Sequence, residues 1–243
     1  MTQPQQGTFY GVGVGPGDPE LLTLKAVRVL RQSDAIYVPE SRLSRQNHVA
    51  DIAAAYASAD CDIVPVSFSL ADRAATRQQH WHETAQVIAG RLQGGQDVAL
   101  VTLGDALLYS TYIYLLRALY AVFPKAKVET VPGISAVSTA AALTHCPLGE
   151  GEQPLSIIPA ANDVKKLRDL ITSGSSVAIM KIGHHLPQLI ELLDQWGAIE
   201  RSVFVARAGL PEQRVELDLN QLRDVPADTG NLAVILVAPK CDR

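Results

Sequence analysis

Gly11, Gly13, Gly15 and Gly17 alternate ahead of Asp18, Pro19 and Glu20, and the stretch 11–26 is the chemically most suggestive of the chain. A backbone without Cβ atoms turns sharply and lets another group lie against it. The stretch therefore reads either as a ligand loop or as a strand-to-helix turn. In the turn reading Asp18 is the N-cap, Pro19 the first helical residue and Glu20 an acid in the first turn. Phosphate chemistry does not fit. In a G-x-G-x-x-G register the third glycine falls on Pro16 or Asp18, and no Lys-Ser or Lys-Thr pair follows Gly17 as a Walker loop requires. Asp18 would also repel a phosphate at the helix start.

Two further stretches carry polar groups at the ends of apolar runs. Leu103-Gly104-Asp105-Ala106-Leu107-Leu108-Tyr109-Ser110-Thr111-Tyr112 follows the run 98–103, and Pro132-Gly133-Ile134-Ser135-Ala136 follows the run 127–131. Carboxyl ends of strands are where open α/β sheets bind ligands. Asp105 and Ser135 also suit helix N-caps, and capping is compatible with ligand contact.

The elements that position these loops follow from periodicity. Strands are expected at 8–14, 35–38, 62–66, 98–103 and 127–131, alternating with helices at 19–32, 47–56, 71–92, 109–122 and 135–143. On the first helix Leu22, Ala26, Val29 and Leu30 share a face. Strand, crossover helix, strand is the unit of a parallel sheet. The segment 147–152 changes character and reads as a linker, dividing the chain into α/β domains at 1–146 and 147–243. The second is expected to hold strands at 155–158, 176–182, 202–206, 213–217 and 232–237 in a mixed sheet, with a cleft between the domains as ligand site.

Bulk properties narrow the function classes. The chain has 243 residues, 47% hydrophobic content and a formal net charge of -4, so nothing argues for nucleic acid. No run approaches the roughly 18 apolar residues of a membrane span. Cys61, Cys146 and Cys241 are widely separated and lack C-x-x-C spacing, which indicates neither a disulfide framework nor a zinc site and fits a cytoplasmic protein. His80 and His82, two apart on a helix, point to different sides and do not share a metal. No metal site is expected.

Taken together and in order, these stretches resemble the tetrapyrrole methylase family, whose S-adenosylmethionine enzymes open with a G-x-G-P-G-D-P-x-L-L-T-L-K-A loop. The likeness includes the Gly-Asp loop, the Val-Pro-Gly-Ile-Ser turn, the strand ending Ile179-Met180-Lys181 and the closing strand 231–237. The run 107–116 is most similar to the precorrin-2 carbon-20 methyltransferases of vitamin B12 synthesis. The resemblance implies two α/β domains, dimeric, holding S-adenosylmethionine between them and releasing S-adenosylhomocysteine. It carries cofactor contact to Pro16, Leu103, Gly104, Asp105, Leu108, Ser135, Ala136, Met180 and Ala208, with Tyr109, Ser110 and Thr111 adjacent.

The implied reaction turns precorrin-2 into precorrin-3A. Two departures from the family pattern stand out. Ala106 replaces a common Pro after the Gly-Asp pair, and Pro39 stands where uroporphyrinogen methylases carry a catalytic Asp. Glu40, Tyr112 or a water is left to take the proton from carbon 20. A carboxylate-rich substrate calls for cations, for which Arg42, Arg45, His48, Lys181 and His184 are the candidates. Alternatives are the same methylation of cobalt-factor II, a uroporphyrinogen, diphthine or ribosomal RNA methylase on the same fold, and a non-catalytic nucleotide-binding module.

Overall fold

The computed structural model describes residues 6–40, 47–67, 74–160 and 163–238. It divides into two compact units, Met1–Ser135 and Ala136–Arg243.

The first unit runs β1 (Thr8–Gly13), α1 (Leu24–Gln32), β2 (Ala35–Pro39), α2 (His48–Tyr56), β3 (Asp62–Val66), α3 (Ala74–Gln93), β4 (Val98–Thr102), α4 (Tyr112–Val122) and β5 (Lys127–Val131). Its five strands pair in the order β3-β2-β4-β1-β5, all parallel. Pro65 lies in β3 at the sheet edge, where its missing N–H costs no ladder bond. Alternation along β4 builds two cores. Val98 and Leu100 face a layer with Trp81, Ala85, Ile88 and Leu92 of α3 and Leu115 and Leu119 of α4. Ala99 and Val101 face the opposite layer with Ala26, Val29 and Leu30 of α1 and Ile52 and Ala53 of α2. The helices that follow β1 and β4 thus lie on opposite faces. These two strands are neighbours, which makes the gap at their carboxyl ends the topological switch point of the sheet.

The opening helix is shorter than its pattern suggests. Asp18 accepts from the Glu20 N–H and starts only a single 3-10 turn, Pro19–Leu21; Leu22 is extended, and the α-helix begins anew with Thr23 accepting from Ala26. Likewise α4 starts at Tyr112 and not at 109, because Tyr109 has a φ of 53°.

The second unit runs α5 (Ala136–Thr144), β6 (Leu155–Pro159), α6 (Val164–Thr172), β7 (Ser176–Met180), α7 (Leu186–Gln195), β8 (Ser202–Ala206), β9 (Arg214–Glu216) and β10 (Ala233–Val237). The sheet is mixed, in the order β6-β7-β10-β8-β9: β6 and β7 are parallel and the other pairs antiparallel. One face packs Val177, Ile179, Phe204 and Ile235 on Leu167 and Ile171 of α6 and on Leu186, Leu189, Ile190 and Leu193 of α7. Helix α5 lies against β10 and β8. That contact places α5 with the second unit, so the units part at 135/136 and not at the expected linker 147–152. Cys61 is a free thiol, whereas Cys146 at the end of α5 is disulfide-bonded, a departure from the expectation that the cysteines stay unpaired.

Candidate active site

In the first unit the three loops singled out by sequence meet at the switch point. After β1 the chain turns at Gly15, which pairs with Gly104 in an antiparallel bridge: the Gly104 N–H donates to the Gly15 carbonyl at 2.6 Å, and the Gly15 N–H donates back at 3.3 Å. The Val14 N–H donates to the Thr102 carbonyl at 3.0 Å. The turn after β5 closes on both. A Cβ on Gly13 would stand 2.6 Å from the Gly133 nitrogen and 2.7 Å from the Gly104 oxygen, and one on Gly133 would overlap the Gly104 oxygen and the Gly13 backbone. These glycines therefore make room chiefly for one another. That role is invisible in the pattern, because it depends on three segments far apart in the chain.

Asp105 locks the arrangement. One carboxylate oxygen accepts the Leu107 N–H at 2.8 Å within its own loop, and the other accepts the Gly133 N–H at 3.0 Å across to the next. The Ser110 hydroxyl donates to Thr102 Oγ1 at 3.1 Å and accepts the Tyr112 N–H at 3.0 Å, tying the loop to the end of β4 and the start of α4. Asp105→Ala strips the acceptors from two N–H groups. It is expected to lower stability by about 1–3 kcal/mol and to weaken S-adenosylhomocysteine binding by roughly tenfold, read by melting and calorimetry; an unchanged affinity would show that the latch does not shape the site.

The surface built on this lattice is apolar and acidic. Leu107 is 55% and Tyr109 37% exposed, although both are large hydrophobic groups. The loops 14–18, 103–111 and 132–135 contain Asp18 and Asp105 but no Lys or Arg, and Lys25 nearby in sequence is ion-paired with Glu129. A phosphate would find no counter-charge there, whereas a ligand with flat rings, an ammonium and a sulfonium would find carboxylates, backbone carbonyls and apolar surface. The residues fit S-adenosylmethionine by that test.

The expected cofactor positions fall into two sets. Pro16, Leu103, Gly104, Asp105, Leu108, Tyr109, Ser110, Thr111 and Ser135 gather at the carboxyl edge of the first sheet, with Pro16 and Gly104 themselves buried. Met180 ends β7, Ala208 follows β8 and Ala136 opens α5, all in the second unit. Because Gly104 has a φ of 75°, a bulky substitution there strains the backbone as well as filling space. Of the expected substrate contacts, His48 opens α2 and is half-buried, while Lys181 and His184 are exposed just beyond β7. Arg42 and Arg45 lie outside the described residues.

One catalytic candidate is corrected. Tyr112 is fully buried, its ring occupies the space a Gly11 Cβ would need, and its hydroxyl shares a 2.8 Å hydrogen bond with Thr130. Burial pushes its phenol up, opposed by the Thr130 bond. It is a packing residue beneath the sheet, with no surface exposed in the structure. The phenol was a misleading signal: its partner lies on β5 and not in the loop. Glu40 is exposed at the end of β2, its N–H donating to the Val66 carbonyl at 2.9 Å. Among the described residues no group of three or more His, Cys, Asp or Glu is placed to hold a metal ion.

Comparison with known proteins agrees with this geometry. The model of the tetrapyrrole (corrin/porphyrin) methylases matches residues 8–222. A cobalt-precorrin-2 C(20)-methyltransferase from Salmonella typhimurium is 28% identical over 218 residues, covering 90% of this chain and 91% of the relative. A precorrin-2 C(20)-methyltransferase from Sinorhizobium sp is 32% identical, covering 83% and 84%. Among solved structures, a cobalt precorrin-4 methyltransferase superposes with a TM-score of 0.74 at 22% identity, covering 95% of this chain and 94% of that one. A uroporphyrin-III C-methyltransferase from Thermus thermophilus, complexed with S-adenosylhomocysteine, gives 0.66 at 20% identity, covering 96% and 97%. The chain belongs to the tetrapyrrole methylase family.

Proposed function

We propose that this enzyme transfers a methyl group from S-adenosylmethionine to carbon 20 of precorrin-2, giving precorrin-3A in cobalamin synthesis. The observation that carries the reading is that relatives named for carbon-20 methylation match it along nearly their whole length as well as its own. When bound, the cofactor supplies a methyl group on a sulfonium, whose departure as a neutral thioether needs no acid. The protein's task is then to position and to exclude water, which suits a site made of interlocked backbone loops and not of a nucleophile and its base.

In this reading the apolar surface of Leu107 and Tyr109 receives flat rings, and the loop carbonyls and Asp105 face the cofactor's cationic end. Ala136, Met180 and Ala208 are cofactor contacts from the second unit, and Glu40 remains a candidate near the substrate. His48, Lys181 and His184, together with Arg42 and Arg45, bind substrate carboxylates; cationic side chains suit that partner whatever the sign of the total charge.

The cobalt-containing substrate is the neighbouring reading, since one relative is named for it. Methyl transfer to metal-free and to cobalt-loaded substrate, read by mass spectrometry, tests the choice. Faster turnover of the metal-free ring is expected, and a preference for the cobalt form would reverse the assignment.

A homodimer is part of the proposal, on the strength of the family resemblance alone. No helix among the described residues is long and apolar enough to cross a membrane. A biosynthetic reaction supports a cytoplasmic enzyme, and the Cys146 disulfide is the feature that speaks against a reducing compartment.

A further inference from the structure

The loop between β4 and α4 holds one residue in a costly backbone conformation. Tyr109 has a φ of 53°, and among the described residues of the first unit it is the one non-glycine residue in the left-handed region. A bulky side chain is rare there, whereas glycine would take the place without strain. Core packing does not account for the tyrosine. Its side chain remains 37% exposed, just beyond the exposed Leu107 in the loop that leaves the carboxyl end of β4.

The conformation is imposed by anchors on both sides. Upstream, the Asp105 carboxylate accepts the Leu107 N–H at 2.8 Å and the Gly133 N–H at 3.0 Å. Downstream, the Ser110 hydroxyl accepts the Tyr112 N–H at 3.0 Å and donates to Thr102 Oγ1 at 3.1 Å, and the Tyr112 ring is sealed in the core with its hydroxyl bonded to Thr130. Thr102 is the fixed point of this series. It ends β4, is buried, stands opposite Gly13 of β1, and its carbonyl accepts the Val14 N–H at 3.0 Å. The turn between the two anchors falls on Tyr109. A sparsely populated conformation that the surroundings over-determine, on a side chain left at the surface of a ligand loop, marks a functional constraint.

We propose that Thr102 is a positioning residue of the methyl transfer: through Ser110 it holds Tyr109 left-handed, so that the phenol ring stands ready as a platform for the adenine of the cofactor. This rests on the reading of these loops as the S-adenosylmethionine site. Thr102 acts through Ser110 and not by contact. Without its Oγ1 the Ser110 hydroxyl loses its strand-end acceptor, the Tyr109 backbone relaxes to a negative φ, and the ring turns off the site. A ring already in place gives up little freedom when the ligand arrives, which is what the strain maintains.

Calorimetry with S-adenosylhomocysteine and thermal melting on full-length variants test the chain of contacts. Thr102→Val keeps the shape and removes the acceptor, and should weaken binding roughly fivefold. Thr102→Ser restores the hydroxyl and should bind within about twofold of wild type. Tyr109→Ala should weaken binding roughly tenfold, while Tyr109→Phe, which keeps the ring face, stays within about twofold. In the Tyr109→Ala background Thr102→Val should cost less than about twofold more, because the ring it positions is gone. Tyr109→Gly should bind as poorly as Tyr109→Ala yet melt above it, the reverse of the order expected at Gly90, since only the left-handed position favours glycine.

A Thr102→Val protein with wild-type affinity would overturn the proposal. So would an equal loss from Thr102→Val with and without the Tyr109 ring, or undiminished affinity in Tyr109→Ala. Should Thr102→Val not fold, Ser110→Ala removes the same bond from a half-buried loop residue and carries the same comparison. A wild-type protein that does not bind S-adenosylhomocysteine would overturn the cofactor reading itself, which separates that failure from the failure of this role.

Discussion

A Gly133→Ala enzyme is expected to bind S-adenosylhomocysteine at least tenfold more weakly than wild type and to melt several degrees lower. The added methyl would overlap the Gly104 carbonyl oxygen and approach the Gly13 carbonyl carbon to 2.7 Å. All of these neighbours are backbone atoms of loops tied to strand ends, so none can swing aside as a flexible side chain would. Overpacking of this kind costs about 1–3 kcal/mol, and about 1.4 kcal/mol is tenfold in affinity. The strain falls on the contact that holds the three loops together, which is why affinity as well as stability should suffer. Gly13→Ala should behave alike, since its Cβ would stand 2.6 Å from the Gly133 nitrogen. Gly90→Ala is the control: it lies in α3 with nothing within 4 Å of its would-be Cβ, and it should stabilise by roughly 0.5–1 kcal/mol. Calorimetry and thermal melting on the three variants decide the matter. Unchanged affinity in both loop variants would mean that the glycine lattice and the cofactor site are separate things.

Tyr112→Ala is expected to cost about 3–5 kcal/mol, the range for deleting a large buried aromatic group. Tyr112→Phe should cost only about 1 kcal/mol through the lost Thr130 bond and should retain nearly full turnover. The contrast separates packing from catalysis: a catalytic phenol would lose activity in the phenylalanine variant while the fold held. Gly11 and Tyr112 form a complementary pair, because the ring fills the place of the missing Cβ. Gly11→Ala is therefore destabilising by itself but milder when combined with Tyr112→Ala, a non-additivity that a double-mutant cycle in denaturant measures. Additive effects would contradict the pairing.

Much of the first unit was legible because its strands are short apolar runs bounded by turn residues and its helices show a clear apolar face. Ala26, Val29 and Leu30 are all buried, as their spacing demands. Where the reading failed, a local signal was outweighed by a distant one. Asp18-Pro19-Glu20 is a sound helix start, but Thr23 caps a second start within the same run, and α1 follows the latter. The apolar face of α5 is chemically neutral about which sheet it covers, so the break between the units could not be placed from the linker composition. The loops were recognisable as turns at strand ends, yet their glycines were read as space for a cofactor when the Cβ positions of Gly13 and Gly133 are taken up by the backbone of neighbouring loops. Asp105 looked like a cap and is instead a bridge between loops, since its second partner, the Gly133 N–H, lies 28 residues away in sequence. Lys181 stood out only as a basic residue after a strand; its φ of 55° emerges from tertiary structure.

The most direct test of the assigned reaction is to supply the enzyme with metal-free precorrin-2 and S-adenosylmethionine carrying a ¹³C-labelled methyl group, and to locate the label in the product by carbon NMR. The expected result is a single labelled methyl whose carbon is bonded to carbon 20 of the ring, with that position's hydrogen gone. A label attached to any other ring carbon, or a product of unchanged mass, would contradict it.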